Sequence, residues 1–183
     1  LFDAQQGVDL GPKRLLLGSL RAQGEVVSGR PDDTWLEVKL RYFDHLHPRH
    51  TLAVGVRGTF AEKLAPQDLP TLGAQTGLRG FKAHRFWGDG VLIANVEERA
   101  LVVRDLCGLL SIGLAGFVDG GTVWQEGHRD QALPRVSAGM GLRLQSVRAG
   151  GPLVTRIDLA HPVLGGDEGQ DGWVLSFSTG QAF

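Results

Sequence analysis

Arg79 stands in a glycine-rich segment, TGLRGFKAHRFWGDG at residues 76–90, that lacks the regular alternation found elsewhere in the chain. A guanidinium group is planar, stays charged and can hold a carboxylate through two parallel hydrogen bonds. Gly77 and Gly80 beside it permit a tight backbone. The candidate partners are Glu97 and Asp119 downstream. These residue types predict a loop arginine that pairs with a carboxylate, and a solvated loop arginine is the alternative.

Other reactive residues are few. His45, His47 and His50 lie close together in HLHPRH, but no acidic residue or further histidine stands at a spacing typical of a metal site. Cys107 has no evident base near it. The chain contains no G-x-S-x-G motif, no P-loop and no complete dinucleotide-binding motif. We therefore predict no enzyme activity, no cofactor and no metal.

Composition narrows the class of protein. The chain has 183 residues, about one domain, and its 19 basic and 20 acidic residues give no electrostatic case for nucleic-acid binding. The 27 glycines are about twice the usual share of roughly 7% and favour β structure with bends. The chain opens on Leu1 without an initiator Met or a signal peptide, so we expect it to be part of a longer protein.

The elements that must position these residues are strands, because apolar and polar residues alternate with a period of two. In residues 173–183, for example, Trp173, Leu175 and Phe177 share one face, and Val174 and Ser176 lie on the other. Similar segments predict eight antiparallel strands, at residues 13–27, 34–46, 50–62, 91–104, 108–124, 135–148, 152–163 and 172–183. Short turns follow the second, fourth and sixth strands, and longer loops follow the first, third, fifth and seventh, the third loop being the longest.

Two architectures fit this pattern. A soluble sandwich or barrel packs the apolar face inward, whereas an outer-membrane barrel turns it toward lipid. Segments of about 10 to 14 residues, alternating short turns and long loops, and aromatic residues at strand ends favour the membrane barrel. Those aromatic residues are Trp35, Tyr42, Trp124, Trp173 and Phe183. The fold class predicted is an all-β, antiparallel transmembrane β-barrel.

Six motifs in order resemble those of the bacterial surface antigen superfamily. They are LRGF at residues 78–81, NVEERALV at 95–102, GFVDGG at 116–121, SAGMGLRL at 137–144, GPLVTRIDLAHPV at 151–163 and the final FSTGQAF. The resemblance covers the chain from about residue 34 onward. Glu98 departs from it, because the family usually places an apolar, lipid-facing residue there. We expect Glu98 to lie near a membrane interface or on a shifted or bulged strand.

The resemblance implies a sixteen-stranded barrel of which residues 1–183 form the C-terminal half, with about eight strands. Three strands would precede the Arg79 loop and five would follow it. The first half, and periplasmic polypeptide-transport-associated domains, are expected before Leu1. The implied function is insertion or translocation of proteins at the bacterial outer membrane. The implied partners are outer-membrane lipids, polypeptide substrates and periplasmic assembly proteins.

We predict two groups of functional residues. The first is a loop latch: the long loop folds into the lumen so that Arg79, with Gly80 and Phe81, meets Asp119 and Glu97, which alternation places on the inner wall. The family resemblance implies the same contact. The second is a barrel-assembly signal in the last strand, formed by Trp173, Leu175, Phe177 and Phe183. A strand edge can be recognised by strand addition.

Two further functions stay open from the sequence. The same barrel could anchor an N-terminal enzyme such as a lipase, and the residues before Leu1 would decide this. A soluble eight-stranded ligand-binding barrel is the other alternative, and it predicts a chain that folds in buffer without detergent.

Overall fold

The computed structural model describes residues 1–27, 30–125, 132–146, 154–165 and 172–180. Its main element is a nine-stranded antiparallel sheet in the order β1-β2-β3-β4-β7-β8-β9-β10-β11. The strands are β1 (Phe2–Gly11), β2 (Arg14–Val27), β3 (Arg30–His47), β4 (His50–Glu62), β7 (Gly90–Leu106), β8 (Leu110–Trp124), β9 (Arg135–Ser146), β10 (Val154–Leu164) and β11 (Val174–Thr179). The loop between β4 and β7 contains a small hairpin, β5 (Thr71–Leu72) with β6 (Phe86–Trp87), and a 3₁₀ turn, Ala74–Thr76.

All eight predicted strands are present, and each pairs with its sequence neighbour in antiparallel fashion. The all-β antiparallel prediction is therefore confirmed. Period-2 alternation located these strands because one face of each meets a different environment from the other.

The predicted strand count was wrong by one. The sheet also contains β1, which pairs with β2 from Phe2↔Ala22 to Gly11↔Arg14, so four long strands precede the Arg79 loop. Alternation is present in β1 but Gln6 interrupts its apolar face. The longer loop expected after the first predicted strand was also wrong. β2 ends at Val27 as predicted, but β3 begins at Arg30 instead of residue 34. The two strands continue to pair beyond a register shift between Gln23 and Glu25, which leaves only a short connection.

The sheet exposes its apolar face and covers its polar face. Outward side chains on six strands are between 39% and 67% exposed: Val38, Leu40, Val56, Leu92, Val96, Leu114, Val118, Met140, Leu175 and Phe177. On the opposite face, Glu97 and Asp119 are 0% exposed and Arg143 is 7% exposed. A soluble barrel would have the reverse arrangement. The outward face is instead that of a strand wall in contact with lipid hydrocarbon.

The two outermost strands, β1 and β11, each pair on one side only within the part of the chain that the structure describes. The nine strands therefore form an open sheet here. No helix among the described residues is long and apolar enough to cross a membrane.

A charge on the outward face should destabilise the fold. Val118→Arg places a guanidinium among exposed apolar residues of β8, and we expect a loss of about 2–4 kcal/mol in the free energy of unfolding in bilayers. Gln5→Arg is the control, because Gln5 lies on the lumen face of β1 and should change stability little. Urea titration of the full-length protein in vesicles measures both. Equal effects of the two substitutions would contradict the assigned faces.

Candidate functional site

The long loop, residues 63–89, folds back over the polar face of β7 and β8. It is held there by a buried apolar cluster in which Leu72, Leu78 and Phe81 from the loop pack on Val91 and Ile93 of β7. Gly77 ends the 3₁₀ turn with φ 107°, a left-handed conformation that glycine adopts without strain. The main-chain amide of Leu78 then donates to the carbonyl of Gly73, which closes the turn. This packing brings the next residue, Arg79, against the inner wall.

Arg79 forms a bidentate ion pair with Asp119 of β8. Its Nε donates to Oδ2 at 2.8 Å and its Nη2 donates to Oδ1 at 2.7 Å. The main-chain amide of Arg79 also donates to Asp119 Oδ2 at 3.2 Å. Both residues are buried, with 5% of Arg79 and 0% of Asp119 exposed. The carboxylate thus fixes the position of the loop backbone as well as that of the guanidinium.

Glu97 of β7 is the second carboxylate of the site, and three arginines surround it. Arg79 Nη1 donates to Oε2 at 2.6 Å, Arg99 Nε donates to Oε1 at 2.8 Å, and Arg143 Nε donates to Oε1 at 3.2 Å. Arg143, from β9, also donates through Nη1 to Asp158 of β10. Asp158 Oδ2 lies 3.5 Å from Arg79 Nη1. The loop is therefore joined through side chains to four consecutive strands, β7 to β10.

Arg79 stays charged in this environment. Burial disfavours its charged form, but hydrogen bonds and attraction from Asp119, and then from Glu97, more than offset burial and raise the pKa of Arg79 above its ordinary value. A buried ion pair contributes little net stability because desolvation offsets the attraction. Removing one partner leaves the other charge stranded, which typically costs about 3–5 kcal/mol. The geometry is suited to fixing the position of the loop.

Two uncharged side chains complete the contact with the loop. Asn95 of β7 donates through Nδ2 to the carbonyl of Gly77 at 2.6 Å and to Asp119 Oδ1 at 2.7 Å. The ring of Phe117 of β8 lies under the Arg79 guanidinium, 3.3 Å from Cζ to the ring centroid, which adds a cation–π contact. Alternation places Asn95 on the same face as Glu97, and Phe117 on the same face as Asp119, but it does not indicate a role for either residue.

Gly80 allows the loop to approach the wall closely. Its main-chain amide donates to the hydroxyl of Ser137 on β9 at 3.2 Å. A Cβ added at Gly80 would lie 3.0 Å from the carbonyl carbon of His161 and closer still to Cβ of Ser137. Phe81 follows, fully buried in the apolar cluster. The structure therefore brings together all five residues predicted for the loop latch, which are Arg79, Gly80, Phe81, Glu97 and Asp119.

Gly80→Val should displace the loop while the strands still form, because the added side chain overlaps backbone and wall atoms that cannot move away. We expect the docked loop to lose at least about 1–3 kcal/mol relative to the released loop. Gly116→Ala on β8 is the control, since an added Cβ there meets nothing within 4 Å. Limited proteolysis of the folded, full-length protein compares the two variants. A Gly80→Val loop as resistant as that of the wild type would contradict this role.

Three of the four residues predicted for barrel assembly, Trp173, Leu175 and Phe177, lie at the β11 edge of the sheet. Leu175 and Phe177 point outward and are 57% and 67% exposed. Trp173 precedes β11 and makes an edge-on ring contact with His161, with centroids 5.3 Å apart. Phe183 lies outside the described residues. Their proposed role depends on recognition by another protein.

The histidine segment forms the β3–β4 turn. His45 Nδ1 lies 2.9 Å from the Thr51 hydroxyl, and His50 Nδ1 lies 3.0 Å from Glu98 Oε1. Within the described ranges, no group of three or more His, Cys, Asp or Glu side chains could hold a metal ion. Cys107 is exposed in the β7–β8 turn.

These observations define the class of protein. An open antiparallel sheet with an apolar outward face, and with a loop fixed by ion pairs to its buried polar face, is typical of part of the wall of a transmembrane β-barrel.

Comparison with family models identifies the family. Residues 17–183 match the Omp85 superfamily domain, and the chain belongs to the Omp85 superfamily. The resemblance to the surface antigen superfamily is thereby confirmed. Members of this superfamily are outer-membrane barrels that insert or secrete proteins and work with polypeptide substrates and assembly components. Comparison with curated proteins gave no match.

Proposed function

We propose that the full-length protein inserts or translocates other proteins at the bacterial outer membrane, through a lumen that the Arg79 loop occupies in a fixed position. The observation that carries this proposal is the buried pairing of Arg79 with Asp119 and Glu97. A loop that only covered the barrel mouth would not need a buried ion pair with two neighbouring strands. Family membership supports the general class of activity.

The docked loop is suited to control the lumen because it combines two kinds of contact. Its apolar cluster of Leu72, Leu78 and Phe81 excludes water, and its ion pairs determine where that cluster sits. Polar side chains otherwise line the inner wall, among them Glu37, Lys39 and Arg57. A hydrated wall of both charges can pass an extended polypeptide without binding it tightly.

The nine strands are proposed to be the C-terminal part of a larger barrel. A sheet edge cannot remain open in hydrocarbon, because each unpaired backbone group there costs several kcal/mol. The outer edges of β1 and β11, which pair with no other described strand, would therefore require further strands, and residues 1–183 would contribute nine of the sixteen that the family resemblance implies.

The last strand is proposed to carry the barrel-assembly signal. Trp173, Leu175 and Phe177 present a continuous apolar and aromatic surface beside a strand edge, which suits recognition by strand addition. The periplasmic assembly partner that reads this surface would also contact Phe183.

Reconstitution tests the proposed function. The full-length protein in proteoliposomes should accelerate membrane insertion of an unfolded β-barrel precursor, or move an added polypeptide across the bilayer, by at least about tenfold over empty vesicles, which corresponds to about 1.4 kcal/mol of barrier. If the protein shows neither insertion nor translocation with any class of polypeptide tested, the result would favour the alternative in which the barrel only anchors an attached enzyme.

A further inference from the structure

Glu98 is an acidic residue on the outward, lipid-facing side of β7. It pairs in register with Leu52 of β4 and with Gly116 of β8, and 59% of its side chain is exposed. Val96 and Leu114, its outward neighbours, are 46% and 51% exposed. A carboxyl group among outward apolar side chains is unfavourable within hydrocarbon, so Glu98 is expected near the membrane interface with a polar partner.

His50 is the protein partner of Glu98. Its Nδ1 lies 3.0 Å from Glu98 Oε1, and its side chain is 45% exposed. His50 is the first residue of β4 and directly follows the turn at Pro48 and Arg49. The other carboxylate oxygen, Oε2, accepts no hydrogen bond from the residues that the structure describes. The pair therefore faces lipid with one acceptor available.

Outward polar groups on neighbouring strands indicate a membrane interface close to Glu98. Two strands from Glu98 in the same row of register, Asp44 of β3 accepts hydrogen bonds from Arg14 Nε and from the Tyr42 hydroxyl, each at 3.0 Å. Tyrosine at this position is typical of a membrane interface. Further along the same row, β9 and β10 carry only apolar residues, Met140 and Leu159. Polar outward groups are thus concentrated on β2, β3, β4 and β7, at the end of the sheet where the short turns lie.

We propose that the His50–Glu98 pair binds the head group of an ethanolamine phospholipid in the leaflet at the short-turn end of the barrel. The primary ammonium group would donate a charge-assisted hydrogen bond to Glu98 Oε2, while His50 holds the carboxylate in position. A choline head group carries the same charge but has no N–H donor, and a glycerol head group has no cationic amine. This inference concerns the outer wall and does not depend on the proposed function of the loop.

Competition among lipids tests this site. Native mass spectrometry would count lipids bound to the full-length protein in an equimolar mixture of phosphatidylethanolamine, phosphatidylcholine and phosphatidylglycerol with identical acyl chains. The wild type should retain ethanolamine lipid about fivefold over choline lipid, as one charge-assisted hydrogen bond predicts. Glu98→Gln should abolish this preference. Glu62→Gln should leave it unchanged, because Glu62 is exposed on the same strand as His50 but at its opposite end.

Three results would contradict the proposed ethanolamine site. Equal retention of ethanolamine and choline lipids by the wild type, or a preference that survives in Glu98→Gln, would overturn the proposal. Preferential retention of phosphatidylglycerol would overturn it as well, because basic groups such as Arg14 would then dominate. The heat-dependent gel migration of folded barrels confirms that each variant has folded. If Glu98→Gln does not fold, His50→Gln replaces it and should reduce the preference for ethanolamine lipid, because the carboxylate is then no longer held in position; an unchanged preference would overturn the proposal.

Discussion

Arg79→Ala in the full-length protein is expected to release the lumen loop and to lower insertion or translocation at least about tenfold, while the barrel still forms. The substitution leaves Asp119 and Glu97 buried without the guanidinium that binds both. Stranded buried charges of this kind cost about 3–5 kcal/mol, and undocking the loop relieves that cost by admitting water. Two measurements test this prediction. Transport in proteoliposomes should fall, and ion conductance in planar bilayers should rise as the loop leaves the lumen.

Two variants provide controls for this result. Arg79→Lys keeps the charge but loses the planar fork, so we expect activity between those of the wild type and the alanine variant. Lys82→Ala removes a charge from an exposed position of the same loop and should have little effect. Full activity of Arg79→Ala with a freely mobile loop would show that docking is unnecessary.

Glu97→Gln is expected to be more damaging to folding than Asp119→Asn. Glu97 accepts hydrogen bonds from Arg79, Arg99 and Arg143, so its neutralisation leaves three guanidinium groups close together. Asp119 binds one arginine, and Asn95 supplies a further hydrogen bond that the asparagine variant can partly keep. We expect Glu97→Gln to reduce the free energy of unfolding by about 3–5 kcal/mol and Asp119→Asn by less.

Urea titration in vesicles of defined composition compares these variants, with Glu62→Gln as the control for loss of a carboxylate at an exposed position. A smaller loss for Glu97→Gln than for Asp119→Asn would mean that Glu97 is not the main counter-charge of the arginines.

The strands could be predicted from the sequence because alternation reports directly on the two faces of a sheet. Residues 135–146 show this best, since Leu142 points outward and is 39% exposed while Arg143 points inward and is 7% exposed. β1 was missed because Gln6 interrupts its apolar face in a strand that lies at the edge of the sheet. In a ten-residue strand only five residues lie on each face, so a single polar residue on the apolar face greatly weakens the alternation that indicates a strand.

Alternation predicted that Glu97 and Asp119 lie on one inner wall. The family resemblance was needed to choose a loop arginine that reaches them over a solvated one. The connection through Arg143 to Asp158 did not follow, because it depends on side-chain reach between adjacent strands. The position of Phe117 under Arg79 also depends on space at Gly139, where an added Cβ would lie 2.6 Å from the Phe117 ring. Alternation gives the face of a residue, and three-dimensional packing decides its contacts.

The most direct test of loop docking is a double-mutant cycle of Arg79→Ala and Asp119→Ala, read by maleimide labelling of a cysteine at position 78. Leu78 is 0% exposed, so Leu78→Cys in a Cys107→Ala background of the full-length protein reacts only when the loop undocks. We predict labelling at least about tenfold faster in each single variant, and a double variant that labels no faster than Arg79→Ala, because loss of Arg79 already removes its pairing with Asp119. Equally fast labelling with Arg79 and Asp119 intact, or rates that multiply in the double variant, would contradict a loop fixed by this pair.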